Sequence, residues 1–453
     1  MIALLLALLA QIPVPPETPP AMDLTPQVQE DAGVPASDGG VPRDEPPLKA
    51  LEPQLSGALS AQQLAKIQSA LVRSRLDGWL FFDFRREDDI AYRILGLSKE
   101  GPRSRAWWCL IPAKGDPRKL LHAIEPHALD GVPGSVTTYT SWRSRDRDLA
   151  LLLKGMKRVA MDYSPRAEIQ TVSRVDAGAV ELVRSMGVEV ATSAELVASL
   201  GSVLSKEELD SQARAAGLLA GDMEATAREA ARRIRTGQPA TERELQDFAR
   251  ERWTREGLDD GGGRPGVAVD AHSADPHYSA AETGSAVAAS GSFLLLDFAA
   301  RLGPHGAYGD LTRVYYLGDQ VPSEIARIAA IVFQARDAAL RVVKDGVDRG
   351  RLPTGAEVDA AARSVIVKAG YGEQFLHRTG HSIDLRGHGD GVNNDDFETH
   401  DVRRHLPDTC FSIEPGIYLA GRFGVRSEVD VCLPGGRFEL RPDELQKTVA
   451  TVR

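Results

Sequence analysis

The chain has 453 residues, of which 42% are hydrophobic, and a formal net charge of −10. That length accommodates two sizeable cores, and the acidic balance disfavours nucleic acid as a partner, because phosphate binding needs a basic face. Cys109, Cys410 and Cys432 each sit in an apolar run. An odd count without regular spacing excludes a disulfide framework and a cysteine zinc site, so each reads as a separate buried strand residue.

Residues 1–10, MIALLLALLA, suit the apolar core of a signal peptide and imply export, although no Lys or Arg precedes them. A misplaced start and a disordered apolar tip, either of which would leave the protein in the cytoplasm, are the alternatives. No stretch is long enough to span a membrane. Eleven of the 27 prolines fall between Pro13 and Pro53, with no aromatic residue among them. Residues 11–55 therefore read as a disordered tether. Order is expected to begin near Leu59, with Ser60 as the N-cap of a first helix. Strand-like runs DGWLFFDF, RAWWCLIPA, KLLHAI and RVAMDY then alternate with helices over EDDIAYRILG and DLALLLKGM. This alternation predicts an α/β domain over residues 56–203. From Ser205 a long helical run ends at Thr236-Gly237-Gln238-Pro239, and a second helix carries Thr241 and Glu244 in capping-box spacing. Strands GVAVDA, SFLLLDFA, RVYYLG, CFSIEPGIYL and SEVDVCL, with helices at Ser323–Asp345 and Thr354–Ala369, predict an α+β domain over residues 204–453.

Five groups in this second domain interrupt or end apolar strands: Asp297, Asp310, His381, Glu414 and Glu428. The turn between Asp297 and Asp310 allows the two to face each other across a hairpin. Buried carboxylates need partners, and four of them with one imidazole suit hard or borderline divalent cations. Together they offer up to nine donor atoms, more than one small cation takes, so two metals ~3.5 Å apart are the natural solution. Taken singly, a strand-end Asp is more often a turn residue, and spacing alone leaves both readings open.

The motifs VAVDAHSADPHY, LLLDFAARLGPHGAYGDLTR, HRTGHSIDLRGHGDG, CFSIEPGIY and GVRSEVDV, taken in this order, resemble the pita-bread metallopeptidase family, which includes methionine aminopeptidase, aminopeptidase P and prolidase. The likeness runs from Gly266 to Asp430. The N-terminal domain resembles the creatinase-type domain of aminopeptidase P and prolidase, and the motifs are most similar to bacterial Xaa-Pro dipeptidases. The resemblance implies that Asp297 binds one metal, that Asp310 and Glu428 bridge both, and that His381 and Glu414 hold the second. It implies catalytic roles for His277, His388 and Glu414, and places His377 near the proline side of the pocket. Arg426 matches the family's strand arginine; Arg386, between His381 and His388, joins it as a candidate anchor for a substrate carboxylate. Tyr278, Thr312 and Tyr418 are expected to support the site. Asp384, where glycine is common, and Gly-Asp-Gly after His388 depart from the family pattern.

The expected function is hydrolysis of Xaa-Pro dipeptides with two divalent ions, Mn²⁺ favoured by the carboxylate-rich ligands and Co²⁺ or Zn²⁺ as alternatives. The expected partners are small Xaa-Pro peptides and, by resemblance, a second copy in a homodimer. Aminopeptidase P activity on longer Xaa-Pro peptides is the nearest alternative. A non-catalytic pita-bread binding module is the alternative outside enzymes; such modules typically lose ligands, and this set is intact.

Overall fold

The computed structural model describes residues 59–100, 103–280 and 284–453. The expected leader and tether lie outside the described residues. The N-terminal region folds around a six-stranded sheet made of β1 (Gly78–Asp83), β2 (Trp107–Pro112), β3 (Arg118–His122), β4 (Ser135–Tyr139), β5 (Arg158–Met161) and β6 (Glu189–Thr192), in the order β4-β3-β2-β1-β5-β6. The apolar runs read from the sequence form its centre: the burial of β1 and β2 is nearly continuous, as expected of strands covered on both faces. The cover comes from α1 (Ala61–Arg73), α2 (Asp89–Leu95), α3 (Trp142–Leu152), α4 (Ala177–Ser185) and α5 (Ala194–Gly201). Ser60 caps α1 by accepting from Gln63 N, as its position suggested.

The second region opens with α6 (Lys206–Arg235) and α7 (Glu242–Glu256), each closed at its N-terminus by a capping box, Ser205 with Glu208 and Thr241 with Glu244. The long pair β9 (Phe293–Leu302) and β10 (Tyr308–Tyr316) is flanked by β7 (Leu258–Asp259), β8 (Gly266–Val269) and β17 (Ala450–Thr451). A second sheet holds β11 (Ser382–Ile383), β12 (Cys410–Ile413), β15 (Val429–Cys432) and β16 (Glu439–Arg441), and β13 (Gly416–Leu419) pairs with β14 (Phe423–Arg426). Outside these sheets lie α8 (Ser323–Asp348) and α9 (Gly355–Lys368). Val332, Ala339 and Val343 of α8 share a buried cluster with Phe411, Ile413 and Val425 from β12 and β14.

Two glycines allow the layers to approach. A Cβ at Gly309 would lie 2.8 Å from Ala216 N, so only glycine lets β10 lie against α6 beside Asp310. A Cβ at Gly380 would lie 2.0 Å from the Ser412 carbonyl oxygen, where the segment before His381 presses on β12.

The cysteines depart from the sequence reading. Cys109 is a free buried thiol, as expected, but Cys410 and Cys432 form a disulfide. They stand directly opposite each other on β12 and β15. That partnership depends on strand register, which spacing along the chain does not disclose. No helix among the described residues is long and apolar enough to cross a membrane.

Candidate metal centre

Asp297 lies on β9 opposite Thr312 of β10, and Asp310 lies opposite Ala299. The two carboxylates are thus diagonal neighbours on one face, not directly opposed, since side chains two apart on a strand share a face. The small Ala299 leaves open the space in front of Asp310. From the second sheet, Glu414 follows the end of β12 and Glu428 precedes β15. Glu428 N donates to the Thr312 carbonyl at 3.2 Å, which joins the two sheets at the ligands.

The donor atoms converge. One ligand atom each from Asp310, His381 and Glu428 lies within 4.8 Å of the others, and all three residues are buried. His381 Nε2 stands 3.5 Å from both Asp310 Oδ2 and Glu414 Oε1. Its Nδ1 faces the Ser382 carbonyl at 3.2 Å. A proton on Nδ1 satisfies that carbonyl and leaves the Nε2 lone pair aimed at the carboxylates, the arrangement of an imidazole metal ligand. Burial, reinforced by the charge of the neighbouring carboxylates, pushes the carboxyls of Asp310, Glu414 and Glu428 above their ordinary range, while His381 pulls the first two back down. Burial pulls the His381 imidazole down, but the Asp310 hydrogen bond and the Glu414 charge outweigh it and raise its pKa. Four crowded carboxylates around an imidazole lone pair are mutually repulsive without a cation and fit divalent metal ions.

The surroundings hold this set in place. Arg426 pairs with Asp297 Oδ2, donates from Nε to the Thr312 hydroxyl at 2.9 Å and from Nη1 to the Pro276 carbonyl at 3.3 Å. Thr312 passes its own proton to Glu428 Oε2 at 2.8 Å. A hydroxyl has one proton to give, so its 3.4 Å approach to Asp297 Oδ1 is secondary. Asp430 Oδ2 accepts from Asp310 N at 3.0 Å and from Gln212 Nε2 at 2.6 Å, which fixes the backbone that carries Asp310.

The site floors a cavity of about 900 Å³ lined by all five candidate ligands and by His277, His377, His388, Arg264, Arg378 and Arg426. His388 stacks beside His381, with ring centroids 4.0 Å apart. Without a metal, the charge of a protonated His381, with burial and the Arg378 charge, lowers the His388 pKa to about 3. His377 Nε2 accepts from the Tyr418 hydroxyl at 2.8 Å, and burial, aided by Arg426, lowers its pKa to about 3. His277 is exposed at the cavity wall.

Two arginine assignments change. Arg386 does not line the cavity: its guanidinium lies 3.0 Å from Asp384 and 2.7 Å from Asp390, carboxylates within four residues of it. Both belong to the departures from the family motif, and they absorb the charge offered to substrate. Arg426 lines the cavity, but its three nitrogens are each engaged, by Thr312, Pro276 and Asp297, so it reads as a positioning residue for Asp297 and not as a substrate anchor.

Sequence reasoning missed Glu242, the first residue of α7. It is fully buried and accepts from Val269 N, Ala286 N and the Tyr278 hydroxyl, and meets His272 Nδ1 at 2.9 Å. These bonds tie down the loop that carries His277. Beside the capping box at Thr241, Glu242 offered no signal beyond that of an ordinary helix-start acid. Arg378 was also passed over, although it sits inside the His377–His381 motif.

Residues 213–433, which contain every candidate ligand, match the model of metallopeptidase family M24. This segment is similar to that family. Among its relatives, a probable dipeptidase PepE of Mycobacterium bovis is 36% identical over 159 residues, 35% of this chain and 38% of the relative. An Xaa-Pro dipeptidase of Lactobacillus helveticus is 38% identical over 129 residues, 27% of this chain and 31% of the relative. The chain thus aligns with well under half the length of these curated relatives. The crystal structure of dipeptidase PepE from Mycobacterium ulcerans superposes with a TM-score of 0.60 at 25% identity, covering 86% of this chain and 97% of that one. The likeness in fold extends through both regions: a creatinase-type α/β domain followed by a pita-bread α+β domain.

Proposed function

We propose that this M24 protein is a metallo-exopeptidase that hydrolyses Xaa-Pro dipeptides with two divalent metal ions, Mn²⁺ by preference. The observation that carries the reading is the convergence of Asp310, His381 and Glu428 within 4.8 Å at the floor of an open cavity. Asp297 and Glu414 would complete the ligand set. Metals held there would supply Lewis acidity toward a water and toward the substrate carbonyl.

The chain's own residues do the rest. His388 and His277 at the wall are placed to donate to the carbonyl oxygen as it gains charge. Water adds to the carbonyl carbon and the bond to the proline nitrogen breaks. Glu414 takes the proton the water loses and delivers it to that nitrogen, which departs as a secondary amine. The hydrogen bond between Tyr418 and His377 fixes the wall beside Glu414. The test is metal analysis together with Ala-Pro hydrolysis after Mn²⁺ loading. About two ions per chain and turnover are expected; a chain that binds no divalent ion and cleaves nothing overturns the proposal.

We further propose that the protein is exported. Residues 1–10 support this, as does the Cys410–Cys432 disulfide, since such bonds persist mainly in oxidising compartments. Fractionation that finds only uncleaved chain in the cytoplasm would reject it.

A further inference from the structure

We propose that Asp384 is the positioning residue of His388: its one carboxylate clamps the loop on both sides of that histidine. This rests on the catalytic role given to His388 above. His388 needs such help. It is exposed, its ring meets Arg378 Nη2 only at 3.5 Å, and it stands between Gly387 and Gly389. Glycine on both flanks leaves the backbone there unusually free. A side chain that must donate to one particular oxygen cannot be placed by such a loop unless the loop is held from elsewhere.

Asp384 is buried, so its carboxylate needs partners. Oδ1 accepts from Arg386 N at 2.8 Å, two residues before His388, and Oδ2 accepts from Asp390 N at 3.1 Å, two residues after it. The Arg386 guanidinium closes on the same carboxylate, with Nη2 3.0 Å from Oδ2. Asp384 is itself fixed to the strands beside the candidate ligands. Its carbonyl accepts from Tyr308 N at 3.1 Å, on β10 and two residues before Asp310. Ser382 of β11, next to His381, adds two ties: its carbonyl accepts from Gly389 N at 2.7 Å and its hydroxyl from Gly391 N at 3.0 Å. The clamp is also fitted to its neighbour. A Cβ at Gly389 would lie 2.6 Å from Asp384 Oδ2, so the carboxylate occupies the room of a side chain at 389. The two departures from the family motif, an acid at 384 and a glycine at 389, are thus one adjustment. The acid reaches around His388 because a glycine follows that histidine.

The experiment measures Ala-Pro hydrolysis, metal content, Tm and amide hydrogen exchange in the metal-loaded wild type, Asp384→Ala, Asp384→Asn, His388→Ala and the double variant Asp384→Ala/His388→Ala. Asp384→Ala is expected to lower kcat about 10- to 100-fold, with KM changed less than about threefold and metal content as in wild type. Amides of residues 386–391 should exchange about 10-fold faster or more, while protected amides elsewhere keep their rates. Asp384→Asn keeps one oxygen acceptor and should lose less by both measures; if Asp384→Ala does not fold, Asp384→Asn carries the same comparison. In the His388→Ala background the Asp384 change should cost less than about twofold, because the residue it positions is gone. Losses that multiply across the two positions overturn the proposal and leave the peptidase reading intact, as does wild-type kcat in Asp384→Ala. Faster exchange throughout the protein with a lower Tm would make Asp384 a general stabiliser and also overturn it. A wild type that binds metal and cleaves no Xaa-Pro peptide overturns the peptidase reading, and this one with it.

Discussion

Arg93 Nη2, on α2 of the N-terminal domain, lies 2.6 Å from Oδ2 of Asp390, two residues past His388. Asp390 also receives Arg386, which in turn holds Asp384. The N-terminal domain is thereby tied to the loop between His381 and Asp390. Arg93→Ala should lower kcat about 3- to 10-fold, an effect of about 1 kcal/mol for a partly exposed pair. Bound metal should stay unchanged, because no ligand is touched. A kcat equal to wild type would show that the tie has no bearing on catalysis.

Thr312 serves two charged neighbours with one hydroxyl, accepting from Arg426 and donating to Glu428. Thr312→Val keeps the shape and deletes both bonds. Metal affinity, measured by chelator competition, should fall by about 10- to 100-fold, the usual range for losing a partner behind a ligand. Unchanged affinity would mean that Arg426 and the strands position Glu428 without it.

Glu242 anchors the His277 loop through buried bonds to two backbone N–H groups and Tyr278. Glu242→Ala leaves these donors unpaired at about 1–3 kcal/mol each before relaxation. A lower Tm is expected, together with a kcat loss resembling that of His277→Ala. The combined variant should fall little further than either alone. Additive losses would separate the loop from the catalytic role assigned to His277.

Burial pushes the Asp162 carboxyl up to about 6, against the pull of hydrogen bonds from Ser193, Asp88 and Trp79. The fold therefore favours its protonated form. Its contribution to stability is fully present below the ordinary Asp value of 3.8 and is lost as pH rises through about 6. Asp162→Asn imitates the protonated group and can still accept from Trp79 and Ser193. At pH 7 the variant should melt higher than wild type, and the gap should close toward pH 4. A Tm difference constant across that range would rule out Asp162 as its source.

Much of the site was legible because its chemistry conflicts with its surroundings. Asp297, Asp310, Glu414 and Glu428 interrupt runs that are otherwise apolar, and such residues need partners wherever they are buried. The helix starts at Ser60, Ser205 and Thr241 were legible for a local reason, since a cap and its third neighbour are close in sequence. What failed to show depends on distance in sequence. Cys410 and Cys432 are 22 residues apart and meet only through the register of β12 and β15. Arg386 is the exception, since its neutralising partners Asp384 and Asp390 are close in sequence; it looked available because both were read only as departures from the family pattern. Glu242 collects its donors from as far as Ala286, and nothing beside it in sequence announces them.

The disulfide makes the segment from Cys410 to Cys432 a closed covalent ring, and both Glu414 and Glu428 are members of it. The exposed tip of the β13–β14 hairpin, Ala420 to Arg422, is the part of this ring most open to a protease. One cut after Arg422 leaves a single molecule, with the two acidic ligands on separate arms that the bridge still holds together at their base. The same cut in reduced protein places Glu414 and Glu428 on two different polypeptides, joined only by strand pairing. In a protease-rich environment the bond thus keeps a nicked site assembled.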